Sequence, residues 1–144
     1  MKRKCLEGDC CPVARALDVV GDWWTLLIIR DAYAGVTRFG DFQKRLGVAK
    51  NILATRLKDM VEQGLLQTSE VGARSEYQLT DKGRALMPVL VTLAQWGETF
   101  TQPADGSTHL LDARLLKPLR KVEIVSEDGR VLGLEDIITQ MPAA

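Results

Sequence analysis

The stretch 47-GVAKNILATRLKDMVEQGLL-66 decides the fold. At about 100° per residue, Leu53, Leu57, Met60 and Val61 fall on one side of a helix, and Asn51, Thr55 and Lys58 fall on another with Arg56 flanking them. One side anchors and the other is free to read. Gly64 is placed as a stop for that helix, and Leu65-Leu66-Gln67-Thr68-Ser69 has the apolar, β-branched character of a short strand. Alone, the segment reads equally well as a surface helix with a solvated charged face. Its neighbours separate the two readings.

Upstream, Phe39, Phe42 and Leu46 recur at i, i+3 and i+7, which makes one amphipathic helix face, and Gly47 ends it just before the next helix begins. This is helix-turn-helix spacing. Downstream, Gly72-Ala73-Arg74-Ser75 separates a strand ending near Glu70 or Val71 from Glu76-Tyr77-Gln78-Leu79, so two strands joined by a Gly/Ser/Arg loop follow the helix pair. The pattern predicts a winged helix: mainly α with a small β-wing, and Arg74 on the wing loop.

Several short segments follow one another in order: Cys11-Pro12-Val13, Val20-Gly21-Asp22-Trp23-Trp24-Thr25-Leu26-Leu27-Ile28-Ile29-Arg30-Asp31, Arg38-Phe39-Gly40-Asp41-Phe42, Leu53-Ala54-Thr55-Arg56-Leu57, Gly64-Leu65-Leu66, Tyr77-Gln78-Leu79-Thr80-Asp81-Lys82-Gly83, Pro88-Val89-Leu90 and Trp96-Gly97. In that order they resemble the HxlR branch of the MarR-like winged-helix transcription regulators. Each is weak alone, and the ordered set is specific. The resemblance implies a sequence-specific regulator of transcription, with repression the favoured direction. Arg38, Lys50, Asn51, Thr55, Arg56, Lys58 and Arg74 are the residues expected to meet double-stranded DNA. One departure is Ala49, where the recognition helix of the family often starts with Ser; Ala offers no oxygen to the exposed N–H groups of the first turn.

The 144 residues suit one domain with a modest core. No apolar run approaches the roughly 20 residues needed to span a bilayer, and Met1-Lys2-Arg3-Lys4 does not lead into a signal-peptide core, so no membrane partner and a cytoplasmic location are expected. The formal net charge of zero hides an uneven distribution. Residues 35–84 hold nine Lys/Arg against six Asp/Glu, a surplus of three, and residues 85–144 hold five against eight, a deficit of three. Positive charge thus gathers on the proposed reading head.

Thr80 is the expected N-cap of a helix from Asp81 to about Phe100, with Leu86, Val89, Leu90, Leu93 and Trp96 on a broad apolar face and Pro88 bending it. A first helix from Pro12 to Val20 has Val13, Ala16, Leu17 and Val20 apolar, with Pro at a favourable position. Two such faces exceed what one small core can bury. In the related family these two helices pack across a twofold axis, so the resemblance implies a homodimer through Val13, Leu17, Leu90, Leu93 and Trp96. Its recognition helices would meet successive major grooves about 34 Å apart on an inverted repeat. The alternative is that Leu90, Leu93 and Trp96 fold back onto their own subunit.

Asp22 is the expected cap of a helix opening with Trp23 and Trp24, and tryptophans in so apolar a run read as core, Trp24 more firmly than Trp23, which stands where many family members carry a basic residue. All three cysteines, Cys5, Cys10 and Cys11, lie in the first eleven residues, an odd count that argues against a structural disulfide framework. Some family members sense oxidants or electrophiles through the cysteine directly before this proline, here Cys11. The oriented N–H groups of a helix start favour a thiolate. An oxidant or a small effector is therefore the candidate controller, with Cys10 and Cys5 as resolving thiols or bystanders; a buried, inert Cys11 is the opposing reading. Metal binding by the three cysteines and the distant His109 is disfavoured, because no CxxC exists.

Residues 1–100 are thus expected to form the DNA-binding and dimerisation domain, and residues 101–144 an extension. Thr101 to Ser107 is linker-like, His109 to Leu116 suggests a short helix stopped at Lys117-Pro118, and Lys121 to Val125 alternates like a strand that returns through Asp128-Gly129 to Val131-Leu132. No nucleophile motif, phosphate loop or HExxH is present, and the single histidine leaves little general-base capacity, so no enzyme and no cofactor are expected. A winged-helix module that binds protein is the alternative from another class, and a small enzyme built on Cys11 a third.

Overall fold

Helix α1 (Pro12–Val20) opens on a proline, whose missing N–H costs nothing in a first turn, and Cys11 in extended conformation serves as its N-cap. Asp22 caps α2 (Trp23–Tyr33), accepting the Thr25 N–H at 3.0 Å on one carboxylate oxygen and the Thr25 hydroxyl on the other. These details come from a computed structural model that describes residues 6–102 and 109–140. Cys5, the Met1 to Lys4 lead and most of the linker-like stretch lie outside the described residues.

Helix α3 (Phe39–Leu46) ends on Gly47, whose φ of 62° is the left-handed conformation that stops a helix, and the Gly47 N–H closes on the Gln43 carbonyl. Helix α4 (Lys50–Glu62) follows after a turn of three residues, with Gly64 likewise left-handed at 75° beyond its end. Strands β1 (Leu66–Val71) and β2 (Arg74–Leu79) pair antiparallel in unbroken register from Leu66 opposite Leu79 to Val71 opposite Arg74. The wing is therefore a two-residue hairpin turning on Gly72-Ala73, shorter than the four-residue loop expected, because Arg74 and Ser75 join the ladder.

One apolar cluster joins these elements. Ile28 and Ile29 of α2, Phe42 of α3, Leu53, Leu57 and Met60 of α4, and Leu65, Leu66 and Leu79 around the wing are all buried, and each large aliphatic so placed contributes about 1.5–3 kcal/mol relative to leaving it in water. Phe42 meets Tyr77 edge to face at 6.5 Å. The Tyr77 N–H also donates to the Thr37 carbonyl at 2.7 Å, which ties β2 to the entry of α3.

The long helix expected from Asp81 to Phe100 is in fact two. Helix α5 (Asp81–Arg84) is capped by Thr80, whose hydroxyl oxygen accepts the Gly83 N–H at 3.1 Å, and α6 (Met87–Phe100) starts afresh after Ala85-Leu86. Pro88 has no N–H to give the Arg84 carbonyl, and it stands in the first turn of α6, where a helix does not need that N–H.

The chain divides into two compact units, Met1–Leu90 and Val91–Ala144, and the division falls within α6. In the second unit, the Gln95 side chain donates to the Arg120 carbonyl and accepts the Val122 N–H, while His109 Nδ1 lies 3.3 Å from Glu98 Oε1. The short helix expected over 109–116 does not form. Asp112 Oδ1 captures the N–H groups of Arg114 and Leu115, Leu116 turns left-handed (φ 53°), and Leu111 bridges to Pro118. The expected hairpin is present but brief, with β3 (Ile124–Val125) antiparallel to β4 (Val131–Leu132), then a single 3-10 turn at Leu134–Asp136. In the turn between them the Arg130 side chain bonds Asp128 at 2.8 Å and holds that carboxyl below its usual range.

Candidate nucleic-acid interface

Helix α4 is the second helix of the helix-turn-helix, and burial of Leu53, Leu57 and Met60 on its inner face fixes which side chains it turns outward. Lys50, Asn51, Thr55 and Lys58 are all exposed. Ala49 is the N-cap and gives no side-chain hydrogen bond, so the first N–H groups of α4 are left without that partner, as the sequence implies. Arg74, also exposed, sits at the tip of the wing as the first residue of β2.

Two other arginines expected at DNA have carboxylate partners. Arg56 is 29% exposed and spans Asp22 of α2 at 3.5 Å and Asp59 of its own helix at 3.3 Å. It ties the recognition helix to the N-cap of α2. Arg38, the N-cap of α3, lies 3.5 Å from Glu76 of β2. Arg38 keeps its side chain 49% exposed, so the outward set is Lys50, Asn51, Thr55, Lys58, Arg74 and Arg38, while Arg56 braces α4 against α2.

Asp31 is a structural residue to which the sequence reading gave no role. It is fully buried, with Arg30 Nε at 3.0 Å and Arg45 Nη2 at 3.4 Å from Oδ1, and so joins the end of α2 to the end of α3. Its signal was present: Trp24, Ile28 and Asp31 recur at i, i+4 and i+7, the core face of α2. Trp23, read as core, is instead 78% exposed, because neighbours in a helix point about 100° apart and Trp24 takes the inward position.

Cys10 and Cys11 are both exposed as free thiols, so the buried reading of Cys11 does not hold in the single chain. The Cys11 N–H donates to Asp9 Oδ1 at 2.9 Å and its carbonyl accepts the first helical N–H, from Arg15. Val13 and Leu17 of α1 are 64% and 49% exposed, and Leu93 and Trp96 of α6 are 51% and 59% exposed. Leu90 differs from these: it is half-buried and packs on the core of its own chain. Among the described residues no helix is long and apolar enough to cross a membrane.

Residues 19–105 match the HxlR-like helix-turn-helix family. An uncharacterised HTH-type transcriptional regulator of Mycobacterium tuberculosis, Rv3095, is 43% identical over 103 residues, covering 69% of this chain; the match spans 64% of that relative's length. Among solved structures, that of PA1607, a candidate transcription factor, is 46% identical and superposes with a TM-score of 0.89 over 96% of this chain and all of that one. The redox regulator HypR in its oxidised form is 27% identical, with a TM-score of 0.59 over 65% of this chain and all of its own. By the family match and the winged helix it covers, the chain belongs to the HxlR-like helix-turn-helix family.

Proposed function

We propose that the chain is a sequence-specific DNA-binding regulator of transcription, acting as a repressor when two copies grip an inverted repeat. The observation that carries this reading is the outward face of α4: two lysines, an asparagine and a threonine stand exposed on the second helix of a helix-turn-helix, beside a wing tipped by Arg74. Lys50, Lys58 and Arg74 supply phosphate attraction, and Asn51 and Thr55 lie where base edges are read. Val13 and Leu17 of α1, and Leu93 and Trp96 of α6, are exposed apolar residues that a second copy would cover. Thiol control is favoured by the exposed Cys11 at the start of α1, with Cys10 beside it, and by the likeness to a redox regulator. An oxidised α1 would alter the spacing of the two recognition helices.

The test is titration of purified protein onto DNA flanking its own gene at about 50 and about 200 mM salt, beside a scrambled duplex. Tighter binding to the flanking DNA, weakening as salt rises, is expected; no binding, or equal binding to every duplex, contradicts the reading. Diamide or a quinone is expected to lower affinity in the wild type and to leave Cys11→Ser unaffected. An equal response in the serine variant removes Cys11 from the control.

A further inference from the structure

Helix α4 carries one large aliphatic side chain away from its core face. Leu53, Leu57 and Met60 are buried and Val61 is half-buried, yet Ile52 is 43% exposed, in the first turn, among polar neighbours. Three residues on, and so adjacent on the helix surface, Thr55 is also exposed. Its hydroxyl donates to the Asn51 carbonyl at 2.9 Å. That proton is committed within the helix, so the hydroxyl has none left to donate to a base, and the γ-methyl is the apolar group that exposed Thr55 offers.

These two residues occupy the N-terminal part of the second helix, the part that contacts base edges in this motif. Of the groups displayed in the major groove by the four base pairs, one is apolar: the C5-methyl of thymine. We propose that Ile52 and the γ-methyl of Thr55 form a methyl-reading patch that selects thymine at one position of each half-site. The proposal rests on the DNA-binding reading above and adds the base that is read. Lys50 and Lys58 fix register and affinity, while the aliphatic pair distinguishes thymine from cytosine by the methyl it carries.

The test is selection of bound duplexes from a randomised library by the full chain and by Ile52→Ala, Thr55→Ser and Thr55→Val, followed by titration of the enriched duplex with that thymine replaced by uracil. The wild type is expected to enrich a motif with a fixed thymine and to lose about four-fold in affinity on uracil, the factor for one methyl withdrawn from apolar contact. Ile52→Ala and Thr55→Ser are expected to relax the thymine preference by at least about that factor, and Thr55→Val, which keeps the methyl, to retain it. A probe with a 5-methylcytosine–guanine pair at that position is expected to bind more tightly than one with cytosine–guanine; binding no tighter than cytosine would overturn the methyl as the feature read. The uracil probe leaves the protein untouched, so its result does not depend on how a variant folds. Equal binding of uracil and thymine, or loss of the preference in Thr55→Val with retention in Thr55→Ser, overturns the patch and leaves the DNA reading standing. A wild type that enriches no motif overturns both.

Discussion

The winged helix and the stretch 109–140 both carry apolar side chains in patterned runs, yet only the first buries them. Ile28, Ile29, Phe42 and Leu57 are wholly withdrawn from water, whereas Leu134 and Ile138 are 88% and 89% exposed and no residue from 109 to 140 is buried. The difference teaches what a hydrophobic period is worth. It specifies an element where another element stands ready to cover the apolar face, as α2, α3 and the wing do for α4. Strands of two residues have too little ladder to hold a register, so local groups such as the Asp112 carboxylate decide the backbone instead.

That contrast can be broken by substitutions of graded effect. Leu57→Ala removes a side chain with no exposed surface and is expected to cost about 4 kcal/mol, read from denaturant unfolding. A loss under about 1 kcal/mol would mean that the core is far looser than its burial implies. Asp31→Ala comes next, at about 1–2 kcal/mol, for loss of the carboxylate that joins α2 to α3, discounted because Arg30 and Arg45 are half in water and stay solvated without it. Arg56→Ala is expected to lower stability by about 1 kcal/mol through loss of the tie to Asp22 and Asp59, discounted because that guanidinium remains partly in water. Lys58→Ala separates bracing from contact: stability stays unchanged while DNA affinity falls and the salt slope drops by about one. Ile138→Ala, the same kind of truncation as Leu57→Ala, is expected to change stability by less than about 0.5 kcal/mol. A large loss there would show that the second unit hides an apolar contact in solution.

Legibility in the sequence followed the same division. The α3–turn–α4 unit could be read because Phe39, Phe42, Leu46, Leu53 and Leu57 keep a helical period on either side of a glycine that must be left-handed, and the caps Asp22 and Thr80 could be read because their oxygens reach backbone N–H groups two or three residues on. The separation of α5 from α6 is not legible from Pro88 alone, since a proline within a helical period fits a bend as well as the first turn of a new helix. The exposure of Lys50, Asn51, Thr55, Lys58 and Arg74 was legible from face and loop position. The ion pairs of Arg56 and Arg38 were not legible, since a sequence does not reveal that Asp22, Asp59 and Glu76 come within ion-pair distance.

The central claim, that the outward face of α4 meets DNA, is tested most directly by lysine acetylation of the protein with and without its enriched duplex. Lys50 and Lys58 are expected to lose reactivity when DNA is bound, while Lys117 and Lys121, exposed in the second unit, keep theirs. Unchanged reactivity at Lys50 and Lys58, or protection confined to Lys117 and Lys121, would contradict it.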